Sequence, residues 1–96
     1  MRFDICPFFK PGENIPWTET IRMMREQTCL AEEAGFTTAW FTEHHFAHNG
    51  YLNAPPNPIL VSADIAAHCK KLRVGQAPVV LPDWHPLRVA EDIALL

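Results

Sequence analysis

Phe36-Thr37-Thr38-Ala39-Trp40-Phe41-Thr42-Glu43-His44-His45-Phe46 decides how the rest of the chain is organised. Its first six residues are aromatic, threonine or alanine, with no charge among them, which is the composition of a strand buried between layers. Glu43, His44 and His45 come next, and they suit proton chemistry better than packing. The stretch therefore reads as a buried strand that runs out into the rim of a site. Neighbours on an extended segment project to opposite faces, so His44 and His45 are expected to serve different roles if strand geometry persists through them.

Upstream, Gly35 stands where a helix would stop with a left-handed residue. Ile21, Met24, Thr28, Ala31 and Ala34 precede it at helical spacing, with Arg22, Arg25, Glu26 and Glu33 off that stripe, the pattern of an amphipathic helix laid on a sheet. Thr18 is the expected cap, and Glu19 suits the first turn. Earlier still, Phe3 to Phe9 reads as a short buried strand ended by Lys10-Pro11-Gly12. Downstream, a polar loop runs from Glu43 to about Asn57, where Asn57-Pro58 signals a helix start. A helix over Ile59 to Lys71 follows. Leu72-Arg73-Val74-Gly75 then opens a third strand, expected to continue through Val79, Val80 and Leu81 to Pro82, and a third helix follows Pro86.

Strand starts near Phe3, Thr37 and Leu72 lie about 35 residues apart with a helix between each pair, so the strands are expected to be parallel and the fold α/β. Three such strands leave bare edges and an uncovered face, and the last helix, with Leu87, Ala90, Ile93 and Ala94 on one side, ends without a cap. We therefore expect residues 1–96 to be an incomplete domain, the N-terminal βαβαβα portion of a (β/α)8 TIM barrel of about 250 residues. A dinucleotide-binding sheet is disfavoured, because Phe8-Phe9-Lys10-Pro11-Gly12 occupies the place of its glycine-rich phosphate loop.

The net charge of -3, with scattered cations, argues against nucleic acid as a partner. Cys6, Cys29 and Cys69 are odd in number and lack a Cys-x-x-Cys pattern, which indicates neither a disulfide framework nor a cysteine zinc site and fits a reducing cytoplasm. Asp4 falls where a signal peptide would be apolar, and no run reaches the ~18 apolar residues of a membrane span. A soluble cytoplasmic protein without membrane partners is expected.

In a barrel of this kind chemistry sits where strands run out into loops, here Pro7 to Lys10, Glu43 to His45 and Ala77 to Asp83. Phe8 and Phe9 offer walls for a flat ligand, although ordinary core is the stronger reading. Ala77-Pro78 interrupts an apolar strand, where proline deletes a ladder donor and marks either a ligand-side break or a plain edge irregularity. Around the third helix, Arg88, Glu91 and Asp92 suit a solvated face or a partner contact. A metal set from Glu43, His44, His45, His48 and His85 has the right donors but unpersuasive spacing, so no metal is expected.

Ala31-Glu32-Glu33-Ala34-Gly35-Phe36, Trp40, Glu43-His44-His45-Phe46, Pro56-Asn57-Pro58, Val79-Val80-Leu81-Pro82 and His85-Pro86-Leu87-Arg88-Val89-Ala90-Glu91-Asp92 together resemble the amino-terminal part of the bacterial luciferase-like, flavin-dependent monooxygenases. The resemblance covers essentially the whole chain. It implies a (β/α)8 barrel that takes reduced FMN from a separate flavin reductase and uses dioxygen as co-substrate to oxygenate a small organic substrate. It further implies that His44 is the catalytic base, that Ala77 and Pro78 form a cis peptide under the flavin ring, and that the enzyme is a homo- or hetero-dimer paired through early helices. A cis bond is cheaper before proline by roughly 2 kcal/mol or more. The phosphate-binding residues of the family fall beyond Leu96, so residues 1–96 alone are expected to be inactive. Two alternatives share the barrel: a deazaflavin-dependent oxidoreductase that moves hydride, and a non-catalytic accessory subunit, which would typically lack the histidine present here as His44.

Overall fold

β1 (Asp4–Ile5), β2 (Thr38–Phe41) and β3 (Arg73–Gln76) form one parallel sheet in that order, joined by α1 (Trp17–Glu33) and α2 (Pro58–His68), with α3 (Pro86–Leu95) last. The computed structural model describes residues 1–7, 15–46 and 55–96. The expected α/β alternation and parallel pairing are therefore present. Phe8, Phe9, the Lys10-Pro11-Gly12 strand ending and His48 lie outside the described residues.

The register decides what can meet at the carboxyl end of the sheet. Phe41 pairs with Gln76, and the Ala77 amide donates to the Phe41 carbonyl at 2.8 Å, so the segments leaving β2 and β3 emerge side by side. Beneath the sheet, Met24 from α1, Val61 and Ile65 from α2, and Ala39, Phe41, Cys69 and Leu72 form the core. The buried residues of α1 are Thr20, Met24, Thr28 and Ala31, so the middle of the expected apolar stripe is buried, whereas Ile21 is half-buried, Ala34 is exposed at the helix end and Thr20 is added at the start. Burying an aliphatic or aromatic side chain of this kind stabilises by about 1.5–3 kcal/mol.

Two carboxylates tie the helices together. Asp64 on α2 accepts both Nε–H and Nη2–H of Arg25 on α1, at 2.7 and 2.6 Å, the bidentate geometry that guanidinium favours. Glu32, in the last turn of α1, accepts the backbone amides of Lys70, Lys71 and Leu72 at 3.2, 2.6 and 2.6 Å. Those amides hold its carboxyl below the ordinary glutamate range. Gly35 has φ 91°, and the Gly35 and Phe36 amides bond back to the Glu32 and Ala31 carbonyls, each at 3.0 Å, which closes α1 as its sequence position required.

Several boundaries differ from expectation. The first strand is two residues long and Phe3 is exposed, because β1 is an edge and no described residue covers that ring. Helix α1 begins at Trp17 behind Pro16, with no side-chain cap, so Thr18 lies inside the first turn instead of capping it. Asn57 does cap α2, its Oδ1 accepting the Leu60 amide at 2.9 Å, but the helix ends at His68 rather than Lys71 because Glu32 captures the amides that follow. β3 stops at Gln76. Pro78 has no amide to donate and the Val80 amide is taken by a side chain, so Val79 to Pro82 leave the ladder and a 3-10 turn forms over Leu81–Asp83. The Ala77–Pro78 peptide is cis, as the resemblance implied.

Candidate active site at the carboxyl end of the sheet

Glu43 follows β2 by two residues, and its side chain is fully buried. Burial of a carboxylate is tolerated only when its lone pairs are satisfied. Here they are. Glu43 Oε2 accepts the Val80 amide at 2.8 Å, Oε1 accepts Trp84 Nε1–H at 2.8 Å, and Oε1 also meets His45 Nε2. Burial alone pushes the Glu43 carboxyl up, but the Val80, Trp84 and His45 bonds outweigh it, and the group stays below the ordinary glutamate value of 4.5. An ionised carboxylate accepts only, so the His45 nitrogen that meets it, Nε2, is the donor of this bond. Asp83 Oδ2 approaches the same Nε2 at 4.0 Å.

The two adjacent histidines thus differ in surroundings. His45 is drawn onto the buried carboxylate, with 32 % of its side chain accessible. His44 is exposed, its backbone amide donating to the Pro55 carbonyl at 3.4 Å, and its ring makes no hydrogen bond to another described residue. Because β2 ends at Phe41, the divergence is set by the grip of Glu43 on His45 and not by the pleat of a continuing strand. Ala77 and Pro78 are both exposed at the end of β3. His85 lies beyond the 3-10 turn, immediately before α3, and is not part of the Glu43 cluster. Among the described residues no group of three His, Cys, Asp or Glu side chains is arranged to hold a metal.

Sequence reasoning singled out Glu43 and both histidines but missed Trp84 and the Val80 amide. These lie 41 and 37 residues from Glu43. Only the pairing of β2 with β3 brings them within reach, and no local spacing encodes that.

The family model for luciferase-like monooxygenases matches residues 1–96. The chain belongs to the luciferase-like monooxygenase family. It is 42% identical over 79 residues to the alkanal monooxygenase alpha chain of Photorhabdus laumondii, covering 82% of this chain and 21% of that one. It is 36% identical over 72 residues to the oxygenase component of the flavin-dependent trigonelline monooxygenase of Acinetobacter baylyi, covering 75% of this chain and 19% of the relative. The fold superposes on the crystal structure of apo-MsnO8 with a TM-score of 0.81 at 30% identity, covering 95% of this chain and 26% of the other. It likewise superposes, with a TM-score of 0.78 at 23% identity, on the oxygenating constituent of the Pseudomonas putida 3,6-diketocamphane monooxygenase, solved with FMN; 96% of this chain and 24% of that one are covered. The chain thus spans about a fifth to a quarter of the length of these relatives and solved structures.

Proposed function

We propose that this chain is the opening βαβαβα part of a (β/α)8 barrel enzyme that uses reduced FMN and dioxygen to oxygenate a small organic substrate. The observation that carries this reading is the Glu-His-His segment at the carboxyl end of β2, locked by Glu43 onto the loop after β3, in a chain matched end to end by the luciferase-like family. When bound, the flavin supplies the oxygen-transferring chemistry. The protein's part is positioning and proton transfer.

The described residues fit the ring of such a cofactor. Ala77 and Pro78 present small apolar surface, and the exposed His44 imidazole stands at the same end of the sheet. Residues 42–46 and 77–85 include no Lys or Arg, so these segments supply no cationic anchor for its phosphate. On this reading the chain is one part of the catalytic domain and does not turn over alone. His44 is the catalytic base, accepting a proton at a ring nitrogen during oxygen transfer. Glu43 and His45 are positioning residues: Glu43 fixes the path of both loops, and His45 anchors the segment that carries His44 to that carboxylate.

Two partners follow. The trigonelline relative is named as an oxygenase component, which supports a separate reductase that delivers the reduced flavin to this protein. The exposed Leu87, Ala90 and Ile93 of α3, beside Arg88, Glu91 and Asp92, form the subunit contact of a dimer. Reversing the charge at Glu91 is then expected to shift assembly toward monomer in light scattering.

The test of the main reading is anaerobic titration of the full-length enzyme with reduced FMN, followed by dioxygen carrying a heavy-oxygen label. Alkanals are the first substrates to try, since the alkanal monooxygenase chains are among the relatives. Saturable binding and one labelled oxygen atom in the product are expected. Hydride transfer from a reduced deazaflavin, with no label incorporated, would overturn the proposal in favour of an oxidoreductase on the same barrel.

A further inference from the structure

Cys29 and Cys69 are 40 residues apart in sequence, yet their Sγ atoms lie 2.8 Å from one another. All three cysteines are free thiols. Cys29 lies in α1 and is half-buried, while Cys69 is buried at the C-cap of α2. A disulfide bond is about 2.05 Å long, so the sulfurs need to approach by less than about 1 Å to be joined. The elements that carry them have little freedom to separate. The Arg25–Asp64 pair lies one turn before Cys29, and the Glu32 carboxylate, less than one turn after it, holds the amides just beyond Cys69.

We propose that Cys29 and Cys69 form a peroxide-sensitive thiol pair that closes to a disulfide between α1 and the end of α2. Cys29, the more accessible of the two, reacts first. Its thiolate sulfur attacks one oxygen of hydrogen peroxide, the O–O bond breaks, and a sulfenic acid and hydroxide result. The Cys69 sulfur then attacks the Cys29 sulfur, the S–O bond breaks, and the departing hydroxide takes the Cys69 proton as water. In balance, two thiols and one hydrogen peroxide give one disulfide and two waters.

The assignment of order follows from the surroundings. Burial, reinforced by contact with Cys29, pushes the Cys69 thiol up to about 12, so at neutral pH it stays protonated and does not initiate the reaction. Proximity to Cys29 gives it a role as the resolving thiol. A sulfenic acid trapped in this way is withdrawn from further, irreversible oxidation. This pair lies between the helices and is independent of the Glu43 cluster, so the inference stands apart from the proposed oxygenase activity.

The experiment uses the Cys6→Ser variant of the full-length protein, which removes the other, exposed thiol of residues 1–96. The protein is treated with excess hydrogen peroxide, quenched with an alkylating reagent in denaturant, and analysed by mass spectrometry before and after proteolysis. The expected result is loss of alkylation at Cys29 and Cys69, a Cys29–Cys69 linked peptide two hydrogens lighter than the two reduced peptides together, and full recovery with dithiothreitol. In a Cys6→Ser, Cys29→Ser double variant, Cys69 is expected to remain alkylatable after the same treatment. Sulfinic or sulfonic acid at Cys29 beside an unmodified Cys69 overturns the proposal, as does a pair left intact by peroxide that oxidises Cys6 in the unsubstituted protein.

Discussion

Two glutamates gather hydrogen bonds at opposite ends of the same sheet, and they do different work. Glu32, at the amino-terminal end, accepts three backbone amides from the segment that enters β3. Glu43, at the carboxyl end, accepts one backbone amide, one indole and one imidazole from segments that leave β2 and β3. Glu32 is half-buried and its partners cannot titrate, so its consequence is confined to where α2 ends and β3 begins. Glu43 is buried and one of its partners is a histidine next to another histidine. A count of bonds does not separate a scaffold carboxylate from one at a site; the nature of the partners does.

Replacing each glutamate by glutamine sharpens the comparison. Glu43→Gln puts a donating amide against a cluster of donors, and about 3 kcal/mol of stability should be lost, readable as a lower urea midpoint at unchanged slope. On the proposed reading, the same variant of the full-length enzyme should lose most of its oxygenation activity, because the path of the His44 segment is no longer fixed. Glu32→Gln should lower the urea midpoint less, since water can reach the amides it leaves, and the activity of the folded enzyme should be unchanged. Equal losses of activity in the two variants, measured well below the unfolding midpoint, would erase the distinction.

Acid tests what the two share. Both carboxyls are held below the ordinary value of 4.5 in the folded protein. A depressed folded-state pKa means that the unfolded chain binds more protons as the pH falls, so the stabilisation is complete above about 4.5 and is lost as pH drops through the folded value. Urea midpoints measured from about pH 6 down to about pH 3 should fall steadily in the wild type and more shallowly in either variant. An acid limb in Glu43→Gln as steep as in the wild type would mean that this carboxylate is not ionised in its cluster.

Most of the scaffold was legible in the sequence because its signals are local. The stripe from Met24 to Ala31, the turn at Gly35 and the Asn57-Pro58 start each depend on neighbours within a few residues, and each stands where the pattern placed it. Non-local competition defeated the rest. Val79 to Leu81 have the composition of a strand, but the Val80 amide bonds to Glu43 instead of a ladder partner. Lys70 and Lys71 continue a helical pattern, but their amides go to Glu32. The contact of Cys29 with Cys69 is equally invisible in spacing, since it exists only once α1 and α2 are packed on one sheet. At the site, Glu43, His44 and His45 were legible as chemistry misplaced for packing, and a difference between the two histidines was expected, whereas which ring the buried carboxylate holds was not legible.

The account rests on that division, and paired substitution of the two histidines tests it most directly. In the full-length enzyme, His44→Ala should lower oxygenated product formation by roughly 10²–10⁴-fold, the contribution of a positioned general base, with reduced-FMN affinity largely intact. His45→Ala should lower stability, by loosening the Glu43 cluster, and reduce turnover far less. Full turnover in His44→Ala together with a dead His45→Ala would contradict the account, because the imidazole held by Glu43 would then be the one that does the chemistry.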